Sequence, residues 1–376
     1  MAGIYIHIPF CKQACHYCNF HFSTTNNSLP LVIEAIEKEI LLAKNYLNDE
    51  IVDTIYFGGG TPSLLSENHL QLLLNALKNN FEVNPIAEVT LEANPDDMTI
   101  VNLKQWFKNG INRLSVGTQS FFDKDLKWMN RAHNAQQAIN SIKTAHQVGF
   151  DNMSIDLIYG LPESNLDEWE INLSQAFDLN VSHLSCYSLT VEPKTALQHF
   201  IATGKSKPVN EDQAALQFEY LMEAASKNGY EHYEISNFAK PNMRSKHNSS
   251  YWSGKKYLGI GPSAHSYNGN SRQWNVANNH LYVQSINENK IPFELEILSP
   301  AQSYNEFVMI RLRTKEGIAF NELKEKHKSF SNYFEQLAQS FTDENLIEIK
   351  SENYSLTQKG KLLADHIMSE LMWVEN

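Results

Sequence analysis

The chain opens on an alternation: Ile4, Ile6 and Ile8 are spaced by two, which predicts a strand that ends at Pro9. Two periods then take turns. Residues 30–47 set Leu31, Ile33, Ile36, Ile40, Leu41, Ala43 and Leu47 at three- and four-residue intervals, an amphipathic helix. Pro30 suits its first turn, where the missing N–H has no partner to lose. A buried strand is expected at 53–57, then a helix at 67–78, a strand at 88–91, a helix at 100–108, a strand at 113–116 and a helix at 135–148. A strand at 153–158, a helix at 166–179 and a strand at 183–189 complete the series. Six strands alternating with helices predict a parallel sheet, curved or closed, in an α/β fold. Six units fall short of an eight-unit barrel, so the expectation is a partial (β/α)6, TIM-like barrel.

Past residue 200 the pattern weakens. Residues 211–227 have helical period, and the stretch to 298 is irregular. Helices at 304–313, 320–325 and 331–341 are then expected before a hairpin that pairs 346–350 with 354–357. That order predicts a small winged-helix-like α+β domain, read as a lid or docking unit. The expected organisation is a barrel over 1–230, a connecting segment over 231–298 and a small domain over 299–376.

Charge and cysteine usage narrow the partners. Lys and Arg total 31 against 43 Asp and Glu, a net charge of −12, and no basic stripe crosses the tail. Nucleic acid is therefore not an expected partner, despite the winged-helix order. No run approaches the ~20 apolar residues of a membrane span. The N-terminus lacks a basic, apolar and small-residue cleavage pattern, and clustered thiols without an export signal predict the cytoplasm.

Three of the four cysteines, Cys11, Cys15 and Cys18, follow the first strand with the spacing C-x3-C-x2-C. The fourth, Cys186, sits between Leu184 and Tyr187 and reads as a small buried hydrophobe. An odd number argues against a disulfide frame. A zinc site would need His16 or a remote residue as fourth ligand. An iron–sulfur cube held by three thiolates uses the count as it stands and leaves one iron open to a small chelating molecule.

Other polar groups gather at strand ends. Gly58-Gly59-Gly60-Thr61-Pro62 closes the second strand with backbone bare of side chains, either a ligand cradle or a tight turn. A phosphate loop is excluded, because its Lys-Ser/Thr ending is missing. Glu92 and Gln119 close the third and fourth strands. Asp156 interrupts the fifth among apolar neighbours, so it must be paired or face a cavity. Each alone could cap a loop, yet together they converge on the end of the sheet where barrel enzymes carry their chemistry. In Lys246-His247-Asn248-Ser249-Ser250-Tyr251-Trp252, a histidine beside tandem aromatics suits a flat metal-bearing ligand such as heme, or a satisfied surface histidine.

With its cysteines set in Tyr5-Ile6-His7-Ile8-Pro9-Phe10-Cys11, the chain resembles the radical S-adenosylmethionine (SAM) superfamily, in the branch of the anaerobic coproporphyrinogen III oxidase-like family. The resemblance covers essentially the whole chain. It implies a [4Fe-4S] cluster on Cys11, Cys15 and Cys18, whose open iron is chelated by the amino and carboxylate groups of SAM before reductive cleavage to a 5′-deoxyadenosyl radical. It implies SAM contacts at Glu92, Gln119 and Asp156, the last two suited to ribose hydroxyls. Gly59, Gly60 and Thr61 belong to the glycine-rich motif that holds the amino group, and Arg131 matches the partner of the carboxylate. Tyr5, Tyr17 and Thr190 match weaker positions around the cofactor, and His265 falls near it by the same likeness.

The sequence His247-Asn248-Ser249-Ser250-Tyr251-Trp252 resembles the HemW-type heme chaperones, which implies His247 as a heme ligand candidate. Two departures separate the chain from the oxidase: Phe20 stands where the oxidase has a further cysteine, and the first strand begins within three residues of Met1 where the oxidase has an extension. The expected function is a radical SAM-type heme chaperone that binds heme and delivers it to an acceptor protein, membrane-associated or not, with a reductant protein serving the cluster. SAM cleavage is expected and oxidase activity is not. The alternatives are the oxidase itself, acting on porphyrinogen propionates, and a zinc-bound scaffold without catalysis.

Overall fold

The computed structural model describes residues 2–374. The opening alternation becomes strand β1 (Ala2–Ile8), which buries Ile4, Ile6 and Ile8 completely. Five more strands follow: β2 (Val52–Gly59), β3 (Val83–Ala93), β4 (Arg113–Gln119), β5 (Met153–Tyr159) and β6 (His183–Ser188). Each pairs in parallel with the next. Parallel pairing needs a crossover, and the helices Leu29–Leu42, Glu67–Asn80, Ile100–Lys108, Ala135–Val148 and Leu166–Asp178 supply it. Asn134 and Asn165 start two of these with reciprocal caps, and Gly149 ends one in the left-handed region at φ 112°. The first helix stops at Leu42 rather than 47, and residues 43–49 continue as turns that pass through Asn48 and Asp49 at φ 50° and 59°. Leu47 is still buried, but from a turn.

Residues 231–298, expected as a connecting segment, instead extend both edges of this sheet. They form β7 (Glu231–Glu234), β8 (Asn237–Ala239), β9 (Tyr257–Ile260), β10 (His265–Tyr267), β11 (Ser271–Asn275) and β12 (Phe293–Ile297). The resulting 12-stranded sheet has the order β12-β11-β10-β9-β1-β2-β3-β4-β5-β6-β8-β7. β9 lies parallel to β1, and the other additions are antiparallel. Phe238, Leu258, Ile260, Tyr282 and Ile286 share one core with the parallel strands, so the segment and the six-strand unit are packed as one body. Strands of three to five residues are too short to announce themselves by period.

The tail follows its predicted order. Helices Pro300–Leu312, Phe320–Lys326 and Ser331–Asp343 precede a hairpin of β14 (Ile347–Lys350) and β15 (Asn353–Leu356). A two-residue strand, β13 (Ile318–Ala319), joins the hairpin in the order β13-β15-β14. Two short helices not anticipated, Gln358–Leu362 and Ala364–Leu371, complete a separate core of Tyr304, Phe334, Ile347 and Leu371. Among the described residues no helix is long and apolar enough to cross a membrane.

Candidate functional site

Where β1 ends, the chain enters the cysteine loop, and the end of β2 holds that loop by direct backbone contact. Gly60 donates its N–H to Ile8 O at 2.9 Å, and a Cβ at Gly60 would lie 2.6 Å from Phe10 O. Gly59 sits at φ 107° against the His7 ring. The glycine run therefore serves close approach of two backbones. Gly60→Ala is expected to destabilise the fold by about 1–3 kcal/mol through overpacking and to lower iron retention, measured by thermal unfolding and iron content.

The loop is strapped down elsewhere by residues the sequence did not single out. Lys12 pairs with Asp96 at 2.6 Å and also with Asp97, whose other oxygen accepts from Ser63 Oγ at 2.7 Å. Asn130 Nδ2 donates to Ala14 O at 2.8 Å, and His16 N–H to Met129 O at 3.2 Å. Arg131 reaches across from the same segment. Its guanidinium donates to Cys15 Sγ at 3.3 Å, Asn94 Oδ1 at 2.6 Å and Gly117 O at 2.8 Å, and its buried Nε has no partner. The signal that could have found Asn94, Asp96 and Asp97 is their position in Asn94-Pro95-Asp96-Asp97, at the same strand end as Glu92.

Lys12, Asn94, Asn130 and Arg131 line one cavity of about 1180 Å3 at the C-terminal ends of the parallel strands. Cys11, Cys15, Cys18, Tyr17, Gly59, Gly60, Thr61, Glu92, Gln119, Arg131, Asp156 and Thr190 all face it, so most of the expected site residues come together. Phe20 is exposed at its rim. Burial raises the Cys11 thiol to about 11 against a hydrogen bond to Thr61, and raises Cys18 as well. Glu92 accepts the Gly59 N–H at 3.2 Å; burial pushes its carboxyl up to about 8, Tyr56 opposing and Asp156 adding to the rise. Burial also lifts Asp156 to about 6, against the pull of Arg113. Gln119 occupies the left-handed region at φ 67°, an uncommon backbone for this residue type, where the pairing of β4 with β5 slips. Among the described residues no three His, Cys, Asp or Glu side chains are arranged to hold a metal ion.

Three expected site residues lie elsewhere. Tyr5 stays inside the sheet, its hydroxyl 3.3 Å from His7 Nδ1. His265 is exposed on β10 with its ring stacked on Trp274 at 6.0 Å, away from the residues that line the cavity. His247, the heme ligand candidate, is 2% exposed on the helix Lys246–Trp252, which packs against the starts of the strands. Its Nδ1 meets Thr54 Oγ1 at 2.8 Å and its Nε2 meets Tyr251 OH at 2.8 Å, while its backbone N–H donates to Glu88. The ring also stacks on Tyr56 at 5.0 Å, and burial, with Arg113 adding, lowers its pKa to about 3. Both ring nitrogens are thus used within the protein, and ligation of an iron by His247 would require breaking one of these bonds.

Comparison with known proteins bears on this geometry. The Radical SAM superfamily profile matches residues 5–174, and the HemN C-terminal domain profile matches residues 298–363. The heme chaperone HemW of Bacillus subtilis is 34% identical over 376 residues, covering 99% of both chains. The protein of the same name from Lactococcus lactis is 32% identical and covers 98% of this chain and 96% of its own. Among solved structures, coproporphyrinogen III oxidase (HemN) from Escherichia coli, described as a radical SAM enzyme, superposes with a TM-score of 0.85 at 24% identity. That superposition covers 99% of this chain and 90% of the oxidase, a likeness of fold.

Proposed function

The chain belongs to the radical SAM superfamily and to its HemN/HemW-type family, and we propose that it is a heme chaperone that keeps a [4Fe-4S] cluster and SAM while delivering heme to an acceptor protein. The observation that carries this reading is the cavity. It gathers three thiols, a bare glycine backbone, a guanidinium and three polar strand ends, together with apolar groups such as Ile158, Leu189 and Phe218. We read the six parallel units as a partial (β/α)6 barrel and the tail as winged-helix-like, with the cytoplasm as compartment.

The residues present fit the cofactors. Cys11, Cys15 and Cys18 supply thiolates to the cluster and leave the rest of the coordination to a ligand. The amino group of SAM suits Glu92 and the Gly59–Gly60 backbone, and its carboxylate suits Arg131, whose buried Nε lacks a partner. Gln119 and Asp156 remain for ribose hydroxyls. When bound and reduced, the cluster supplies one electron to the sulfonium of SAM. The chain's own part is to orient SAM, to exclude water around the sulfonium and to hold Glu92 and Asp156 ready to ionise beside a cation. Oxidase activity receives no support from the full-length relatives, which carry a chaperone name.

Anaerobic reconstitution followed by heme titration tests the proposal. A chaperone binds heme with the cluster intact and passes it to an apo-acceptor; porphyrinogen turnover in the presence of SAM and a reductant would favour the oxidase instead. Stoichiometric zinc without iron would leave only the scaffold. For His247, the hydrogen bonds on both ring nitrogens predict a packing role. His247→Ala should cost about 2–4 kcal/mol of stability, read by denaturant unfolding, and should still bind heme. Loss of the Soret band in a variant that remains folded would restore the ring as ligand.

A further inference from the structure

Arg131 brings a positive charge to the cavity without a carboxylate to answer it. Among the described residues no Asp or Glu forms an ion pair with it, whereas a charge taken out of water ordinarily has one. Its acceptors are Asn94 Oδ1 at 2.6 Å, Gly117 O at 2.8 Å and Cys15 Sγ at 3.3 Å. Both protons of Nη2 go to Asn94 and Gly117, while the buried Nε–H has no partner. Of the two oxygens that hold the guanidinium, only that of Asn94 belongs to a side chain. An aspartate there would hold the group and cancel its charge; an amide holds it and leaves the charge to a ligand.

The carboxylates nearest to Asn94 in sequence are turned to a different cation. Asp96 and Asp97 both pair with Lys12, which stands in the cysteine loop between Cys11 and Cys15. Asp97 also accepts from Ser63 Oγ at 2.7 Å, and that oxygen accepts the Asn94 N–H at 3.3 Å. Asn94 Nδ2 donates to Thr61 Oγ1 at 3.4 Å, beside the glycine run. The turn Asn94-Pro95-Asp96-Asp97 thus grips three things: the cysteine loop through Lys12, the end of β2 through Ser63 and Thr61, and the guanidinium through Asn94. Glu92 and Asn94, two residues apart where β3 ends, both line the cavity. The same strand end therefore faces both polar groups of an amino acid, Glu92 the amine directly and Asn94 the carboxylate by way of Arg131.

We propose that Asn94 is a positioning residue for SAM: its amide oxygen fixes the Arg131 guanidinium for the SAM carboxylate without neutralising it, and the turn that follows ties this anchor to the cysteine loop. This rests on the reading of the cavity as a SAM site and adds to it the residue that aims the carboxylate anchor.

The test uses the full chain with its cluster reconstituted without oxygen, titrated with SAM and with decarboxylated SAM, which keeps the nucleoside, sulfonium and amine. The unsubstituted protein is expected to bind SAM at least about tenfold more tightly than the decarboxylated compound. Asn94→Ala is expected to weaken SAM about tenfold and leave decarboxylated SAM unchanged. In an Arg131→Gln background the same substitution should have no further effect, because it acts through the guanidinium. Electron–nuclear double resonance should show the coupling of a carboxylate-carbon label weakened in Asn94→Ala and that of an amino-nitrogen label kept. Asn94→Asp keeps the oxygen acceptor, so it reads the role even where Asn94→Ala loosens the turn; it too should weaken SAM about tenfold and spare the decarboxylated compound. All affinities are compared on protein of equal iron content. SAM affinity unmoved in both Asn94 variants while Arg131→Gln lowers it, or both compounds weakened alike in Asn94→Asp, overturns the positioning role and leaves the SAM site. An unsubstituted protein that binds SAM and decarboxylated SAM equally removes Arg131 as the carboxylate anchor and Asn94 with it. One that binds neither overturns the SAM site itself.

Discussion

Cys15→Ala protein, reconstituted without oxygen, should retain under about a tenth of the iron that the unsubstituted chain takes up, which is expected to be about four atoms per chain. Two thiolates cannot hold a cube that three hold with one corner already open. The substitution also removes the sulfur that Arg131 touches at 3.3 Å, so the guanidinium loses one of its anchors in the cavity wall. Cys11→Ala and Cys18→Ala should behave alike, since all three thiols line the same space. Cys186→Ala is the control. That thiol is buried on β6, away from the cavity lining, and its removal should leave iron and sulfide content unchanged. Iron and sulfide analysis with visible absorbance checks all four, and full iron in Cys15→Ala would show that the cluster sits elsewhere.

A second large effect is expected in the pH dependence of SAM binding. Burial holds the Glu92 carboxyl at about 8, so near neutral pH the empty protein carries it protonated. The amino group donates to the ionised form while its lone pair takes the open iron, so the proton of Glu92 and one proton of the ammonium must both leave as SAM enters. Affinity should therefore rise as pH rises, by up to about a hundredfold per unit below 8, and level off above it. One factor of ten belongs to the α-amino group, which titrates near 8. Glu92→Gln should keep only that factor, a rise of about tenfold per unit, and bind at least about tenfold more weakly at pH 8. Equilibrium binding between pH 6 and about 9 decides this, the range that brackets both groups. An unchanged rising limb in Glu92→Gln would assign the proton to another group, with Asp156 the first to examine, since burial lifts it to about 6. The same shift bears on stability. A carboxyl raised from its ordinary 4.5 to about 8 in the folded chain favours folding fully below 4.5, and that contribution is lost as pH climbs towards 8.

Much of the fold was legible because the parallel strands are buried on both faces and their helices on one, so each writes its period into the sequence. The helices Ile100–Lys108 and Ala135–Val148 begin and end where the pattern says. The edges were not legible. β8 and β10 are three residues each, too short to show a period, and β8 pairs with β6 from across the helix Glu211–Lys227. Cavity-lining residues at strand ends could be read from polarity breaking an apolar run, as at Asp156. His247 could not be placed, because a histidine satisfied by Thr54 and Tyr251 looks the same in sequence as one waiting for a metal.

The account stands on a cluster with one iron left to SAM. Electron–nuclear double resonance on the reduced, reconstituted chain measures that most directly, with SAM labelled at its amino nitrogen and carboxylate carbon. Both labels are predicted to couple to the cluster, and the nitrogen coupling is predicted to weaken in Glu92→Gln. A reduced cluster with SAM bound and neither label coupled, or a metal centre coordinated entirely by side chains, would contradict it.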